Sequence, residues 1–264
     1  MLKSVIAALF ATASVIAASN TQAASLQSIK EAGVIRIAMD ETAKPFAYRD
    51  EHLKLSGSDV DVAEAIAEKL GVRLEVVAVS SPNRIPELLT HKADLTISTL
   101  TKTPERAKVV DFTKFYSASS VVVSAPADID VKALSDLSGK RIAVTRGTTF
   151  DQKLTAVAPA DAQIIRFDGE DTTTTAVASG QIDIIAQSVA LLPNLRAKNP
   201  ARNFEAKLVI EDVLFGIGVN KGDDELRAWL DSWISENLAN GTLNAIYKKH
   251  LGRDLPQGVF EQSK

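Results

Sequence analysis

The chain has 264 residues and no cysteine. That excludes disulfides, thiolate metal centres and a cysteine nucleophile. Histidine is scarce as well. His52, His91 and His250 stand far apart, lack metal-ligand spacing and are expected as surface or loop residues. No metal and no cofactor are expected. Charge of one sign never gathers into a block, and the net charge is only −3. A nucleic-acid partner needs a concentrated basic face, so that class is excluded. Aromatic residues make up 5% of the chain, which leaves few rings to stack on a ligand. Long apolar runs are missing, with one exception at the N-terminus. Lys3 is followed by an apolar stretch over residues 5–18, then by polar Ser19, Asn20, Thr21 and Gln22. This is the pattern of a secretory signal peptide, with small Thr21 and Ala23 suiting cleavage after Ala23. The run is shorter than the roughly 20 residues that span a bilayer, and no basic stop-transfer cluster follows it. Residues 1–23 are therefore expected to be removed on export, leaving a soluble periplasmic protein.

What remains is 45% hydrophobic and 24% charged, an ordinary balance for a globular chain. Two halves share a rhythm. The first has a strand over 33–39, a helix from Ser58 closed by Gly71, a strand over 74–79, a helix over 85–90 and a strand over 94–98. In its long helix Val60, Ala63, Ile66, Ala67 and Leu70 fall at helical spacing, and Asp61 follows Ser58 by three as in a capping box. The second half has strands over 139–145, 163–167 and 183–186, with helices from Thr148 and over 173–178. Each half reads βαβαβ, which implies a mainly parallel sheet flanked by helices. Residues 119–124 and 214–219 are β-rich runs that leave and close the second half. The amphipathic helices expected over 225–238 and 243–251 have no new sheet to cover, so they should return to the first half. The expectation is an α/β fold of two Rossmann-like lobes. Lobe 1 comprises 24–118 and 216–264, and lobe 2 comprises 119–215 with the crossing strands acting as a hinge. Ligands of open α/β sheets sit beyond the carboxyl ends of strands, and here both lobes would present such ends to one cleft.

The most informative stretch is residues 99–106. Thr103 is a good N-cap and Pro104 fits the first helical position. Arg106 then lies in the first turn, beside free N–H groups and the positive end of the helix dipole. A carboxylate could be held there by a bidentate guanidinium, by backbone N–H groups and by the Thr101 hydroxyl. The competing reading is a capped surface helix with a solvated Arg106. Thr148 can cap the helix that follows it, with Asp151 as its capping-box partner.

Taken together, several segments make the chain similar to the periplasmic solute-binding proteins of ABC importers, in the branch that binds polar amino acids. They are Pro45-Phe46, the stretch 57–63, Ile85-Pro86, TKTPERAKVVDF over 101–112, Gly147-Thr148-Thr149 and the stretch 240–249. The resemblance implies the type II periplasmic binding fold, closing on an amino acid delivered to an inner-membrane permease by a monomer. It implies that Arg106 grips the ligand α-carboxylate with help from Thr101 and the backbone after Gly147. The candidate ligand residues are Asp40, Arg84, Thr99, Thr101, Arg106, Thr148, Thr149 and Ser188. The family often places an aromatic where Ala43 stands and another near Ser81, so stacking is weak here. Asn83-Arg84 resembles the acidic-ligand branch, with Arg84 meeting a second anionic group. Where the family often has an aspartate for the ligand ammonium, Gln187 and Ser188 stand. Asp40 is open to that role or to pairing with Arg84 at the cleft edge, and Arg84 is open to being a solvated helix-start residue. The alternative function is an enzyme on the same scaffold, such as a dehydratase of a carboxylated ring. Its general acid or base would come from Asp40, Glu41 or Glu170.

Overall fold

A computed structural model describes residues 26–261. The expected signal peptide and its cleavage point lie outside the described residues. The chain opens with α1 (Leu26–Ala32) and β1 (Val34–Met39), then a small antiparallel sheet of β2 (Thr42–Ala43), β3 (Ala47–Arg49) and β4 (Leu55–Ser56). It continues through α2 (Ser58–Leu70), β5 (Arg73–Ala78), α3 (Arg84–Leu89), β6 (Leu95–Thr96) and α4 (Pro104–Ala107). The long β7 (Val110–Pro126) leads to β8 (Arg141–Thr145), α5 (Thr149–Val157), β9 (Gln163–Phe167), α6 (Glu170–Ala178), β10 (Ile184–Ser188) and α7 (Leu192–Lys198). The equally long β11 (Phe204–Asn220) returns to α8 (Asp224–Ala239), α9 (Thr242–Leu251) and α10 (Gln257–Glu261).

Eight strands form one sheet in the order β5-β1-β6-β11-β7-β10-β8-β9. β5, β1 and β6 run parallel at one end, and β10, β8 and β9 run parallel at the other. Between them β7 and β11 pair antiparallel over nearly their whole lengths. The two lobes therefore share a continuous ladder rather than owning separate sheets. The reason is length: each crossing strand has 17 residues, where the β-rich cores at 119–124 and 214–219 suggested about six. The rest of β11 alternates half-buried and exposed side chains, a weaker sequence signal.

Burial follows the periodicities. Ile35, Ile37 and Met39 alternate along β1 into a core shared with Val62, Ala63 and Ile66 of α2. Leu226, Leu230, Trp233, Ile234 and Leu238 form the buried stripe of α8, which packs on β7. α9 packs on α2 and α8. The capping box expected at Ser58 does not form. Gly57 is the N-cap, at φ 135°, where a Cβ would lie 2.1 Å from Phe46 O. Asp61 instead accepts from Lys249 Nζ at 2.7 Å and contacts His250 Nε2 at 2.8 Å, tying α2 to α9. His250 is thus a half-buried helix residue, whereas His52 is exposed and His91 occupies a left-handed turn position. Among the described residues no helix is long and apolar enough to cross a membrane.

Candidate functional site

The capped turn forms as its sequence requires. Thr103 Oγ1 accepts from Arg106 N at 3.3 Å, with Pro104 starting α4. This aims the Arg106 side chain across the gap between lobes. Its Nη1 donates to Thr101 O at 2.8 Å and to Thr149 Oγ1 at 3.2 Å, and its Nη2 donates to Gly147 O at 2.9 Å. Thr101 precedes the long β7, and Gly147 and Thr149 follow it. Arg106 is 6% exposed, so the reading of a solvated surface arginine is overturned. Burial and the Arg84 charge draw its pKa down to about 9.

Arg84 is buried at the start of α3, not solvated. Its Nε donates to Ser81 O at 2.8 Å, its Nη1 to Ser98 O at 2.6 Å and its Nη2, weakly, to Gly147 O at 3.4 Å. Both guanidiniums thus converge on one carbonyl. Among the described residues neither makes an ion pair within 4.0 Å, so Asp40 and Arg84 do not pair directly. Two buried cations held by carbonyl and hydroxyl oxygens carry a desolvation cost of several kcal/mol each. Next to Arg106, the Thr101 hydroxyl is buried without a partner among the described residues.

The other expected residues separate into two groups. Asp40 follows β1 directly and is buried. Oδ1 accepts from Thr42 N and Thr42 Oγ1, and Oδ2 accepts from Ser81 Oγ at 2.7 Å. Thr99 sits beside it at φ 47°, its N–H donating to Asp59 Oδ2 at 2.9 Å. By contrast, Thr148 spends its hydroxyl on its own turn. It donates to Thr145 O at 2.6 Å and accepts from Asp151 N at 3.2 Å. The expected reciprocal contact from Asp151 is absent, because its carboxylate takes Arg166 Nε at 2.9 Å. Ser188 is likewise engaged, with Ser119 Oγ and with Ala190 N, at the β10 edge against β7. Glu41, an enzyme candidate, is paired with Arg49 at 2.7 Å.

Three residues escaped the ligand set. Asp59 is fully buried, accepts from Tyr116 OH at 3.0 Å as well as from Thr99 N, and is raised to about 7 by burial. Glu170 begins α6, three residues before the expected start, and accepts from Thr145 Oγ1 at 2.9 Å. Burial first and the Asp40 charge second raise it to about 7. Gln187 is 1% exposed, and neither its Oε1 nor its Nε2 has a partner among the described residues.

The profile of the bacterial extracellular solute-binding proteins, family 3, matches residues 35–253. The chain belongs to that family. The L-arginine-binding protein of Pseudomonas aeruginosa is 31% identical over 234 residues, spanning 84% of this chain and 89% of that protein. The solute receptor for L-cysteine of Neisseria gonorrhoeae superposes with a TM-score of 0.80 at 31% identity, covering 86% of this chain and 93% of the receptor. The ancestral amino acid-binding protein AncCDT-1, a precursor of cyclohexadienyl dehydratase, superposes with a TM-score of 0.77 at 31% identity, covering 86% and 99%. The fold is accordingly the type II periplasmic binding fold of this solute-binding family.

Proposed function

We propose that this solute-binding protein captures a polar or acidic amino acid, or a related small carboxylate, in the gap between its lobes. It passes that ligand unaltered to an inner-membrane ABC permease. The observation that carries the reading is the buried Arg106 guanidinium, which spans both lobes without a carboxylate partner and stands beside the unpartnered Thr101 hydroxyl. The ligand carboxylate takes the Arg106 donors together with Thr101 and Thr149. The Thr99 and Arg84 segments and Asp40 wall the pocket. Thr148 and Ser188 hold the second-lobe turns in place. Relatives named for L-arginine and L-cysteine support an amino acid.

The lobe limits of 24–118 with 216–264, and 119–215, are part of the same proposal. They cut β7 and β11 at neighbouring rungs, since Ala118 pairs with Leu214. Flexing there would open the gap along the β7–β11 ladder. Removal of residues 1–23 would release a monomer into the periplasm. The reading is tested by thermal shift over the twenty amino acids and small dicarboxylates. A ligand at about a thousand times its Kd stabilises the folded state by about 4 kcal/mol, several degrees for a chain of this size. No shift from any of them would contradict it, as would turnover of a bound compound.

A further inference from the structure

We propose that the groove between α7 and the C-terminal end of α9 is a second ligand site, separate from the Arg106 gap. It takes a small free monocarboxylate with an apolar body and so holds the two lobes together. The effect on closure rests on the lobe limits proposed above; the site itself does not.

The groove encloses about 450 Å3, within the range of small-molecule sites. One wall follows β10. Ala190, Pro193, Asn194 and Ala197 recur at i, i+3, i+4 and i+7, so the turn Val189–Leu191 and α7 present one face to the groove. Leu192 and Leu195 turn away from it into a buried cluster, and Ser188 Oγ accepts from Ala190 N at 3.2 Å, which fixes the turn. The opposite wall is Pro45, between β2 and β3, with Leu251 at the end of α9. α9 is held in turn by Tyr247 OH, which donates to Ala118 O at 3.1 Å, and by the Asp61 contact of His250. The two walls therefore stand on well-anchored elements, one on each side of the proposed hinge.

Charge names the occupant. Lys44, His250 and Arg253 rim the groove, and no carboxylate of the described residues lines it. The acids closest in sequence are engaged elsewhere: Glu41 with Arg49, and Asp254 with Lys248 and Asn244. Lys44 Nζ stands 4.8 Å from the centre of the Tyr48 ring, and Arg253 Nη2 donates to Tyr247 OH at 3.3 Å. Among the described residues neither cation has an ion pair within 4.0 Å, and both are exposed and able to turn toward an anion. The lining between them, from Pro45, Val189, Ala190, Pro193, Ala197 and Leu251, suits a hydrocarbon or aromatic body. The ammonium of an amino acid would meet the same three cations, so the groove rejects the solute proposed for the Arg106 gap. An occupant touching both walls favours the arrangement that brings them together. By linkage it raises the affinity of the main gap for its amino acid, and the amino acid does the same for it.

The test uses octanoate, with octylammonium and octanol as charge controls, in calorimetric titrations. Octanoate should bind at least about ten-fold more tightly than octylammonium, with octanol between them. Ala190→Trp fills the groove and should abolish octanoate binding, and Lys44→Glu combined with Arg253→Glu should reverse the charge preference, with folding checked by melting. The amino acid giving the largest thermal shift should bind about five-fold more tightly in saturating octanoate. That gain should vanish in Ala190→Trp, whose binding of the amino acid alone should match the intact protein. Equal binding of octanoate and octylammonium, octanoate binding that survives Ala190→Trp, or competition between octanoate and the amino acid would overturn the site. A dimer that Ala190→Trp dissolves would assign the groove to a second copy, and capture by anionic phosphatidylglycerol vesicles that the double charge reversal abolishes would assign it to a membrane surface; either overturns the proposal. Octanoate bound with its charge preference but without any gain for the amino acid would refute the holding of the lobes alone.

Discussion

Arg106 Nη2 donates to Gly147 O at 2.9 Å across 41 positions of sequence, and this bond joins the two lobes directly. The same carbonyl receives Arg84, so a single backbone oxygen of the second lobe meets both cations of the first. Carbonyl dipoles stabilise such cations less than a carboxylate does. A ligand anion that enters here gains two charged partners and links the same surfaces.

Closure should therefore follow ligand. Solution scattering of the ligand-free protein, then of the saturated protein, should show a smaller radius of gyration on saturation. A ligand that touches both lobes binds the closed arrangement better and shifts the population toward it. Superimposable profiles would count against motion at the β7–β11 crossing.

Two glycines should separate folding from closing. At Gly57 a Cβ would meet Phe46 O at 2.1 Å, on backbone at φ 135°. Gly57→Ala should lower unfolding stability by at least about 2 kcal/mol, read from denaturant midpoints. At Gly147, φ is 72° and a Cβ would lie 2.9 Å from Pro82 Cα, in the other lobe. Gly147→Ala should weaken ligand binding more than ten-fold while costing less stability than Gly57→Ala. The reverse order would contradict the placement of Gly147 at the closing surface.

The buried acids set a pH dependence. Asp59 and Glu170 are both raised to about 7 in the folded chain, from ordinary values of 3.8 and 4.5. The folded state then keeps protons that the unfolded chain has released. Their stabilising effect is complete below the unfolded values and is lost as pH rises through about 7. Ligand-free stability, followed by chemical denaturation, should fall across that window. Asp59→Asn and Glu170→Gln should each flatten the fall; unchanged slopes in both would refute the assignment.

What was readable in the sequence was local. Thr103, Pro104 and Arg106 form a cap whose bonds span three residues, so their pattern alone predicts the turn. Alternation and helical spacing likewise located most strands and helices. Asp59 was hidden because its partners, Thr99 and Tyr116, lie 40 and 57 positions away. Glu170, named only for the enzyme alternative, was not legible as the start of α6, because Thr172 to Thr175 are weak helix formers and Gly169 caps α6 without a side-chain bond. Thr148 and Ser188 were both expected at the ligand, but the turn around Thr148 and the neighbouring Ser119 engage their hydroxyls. Arg84 was expected at the ligand, with a solvated helix start as the alternative, and its burial was not legible because nothing nearby in sequence announces Ser98 O, its partner 14 positions on.

The central claim is that Arg106 holds the ligand carboxylate, and calorimetric titration of Arg106→Ala tests it most directly. The titrant is the amino acid giving the largest thermal shift with the intact protein. Truncating one partner of a buried charge pair costs roughly 2–5 kcal/mol, so affinity should fall by about thirty-fold or more while the ligand-free melt stays cooperative. An Arg106→Ala protein that binds the same amino acid within a few-fold of the intact chain would contradict it.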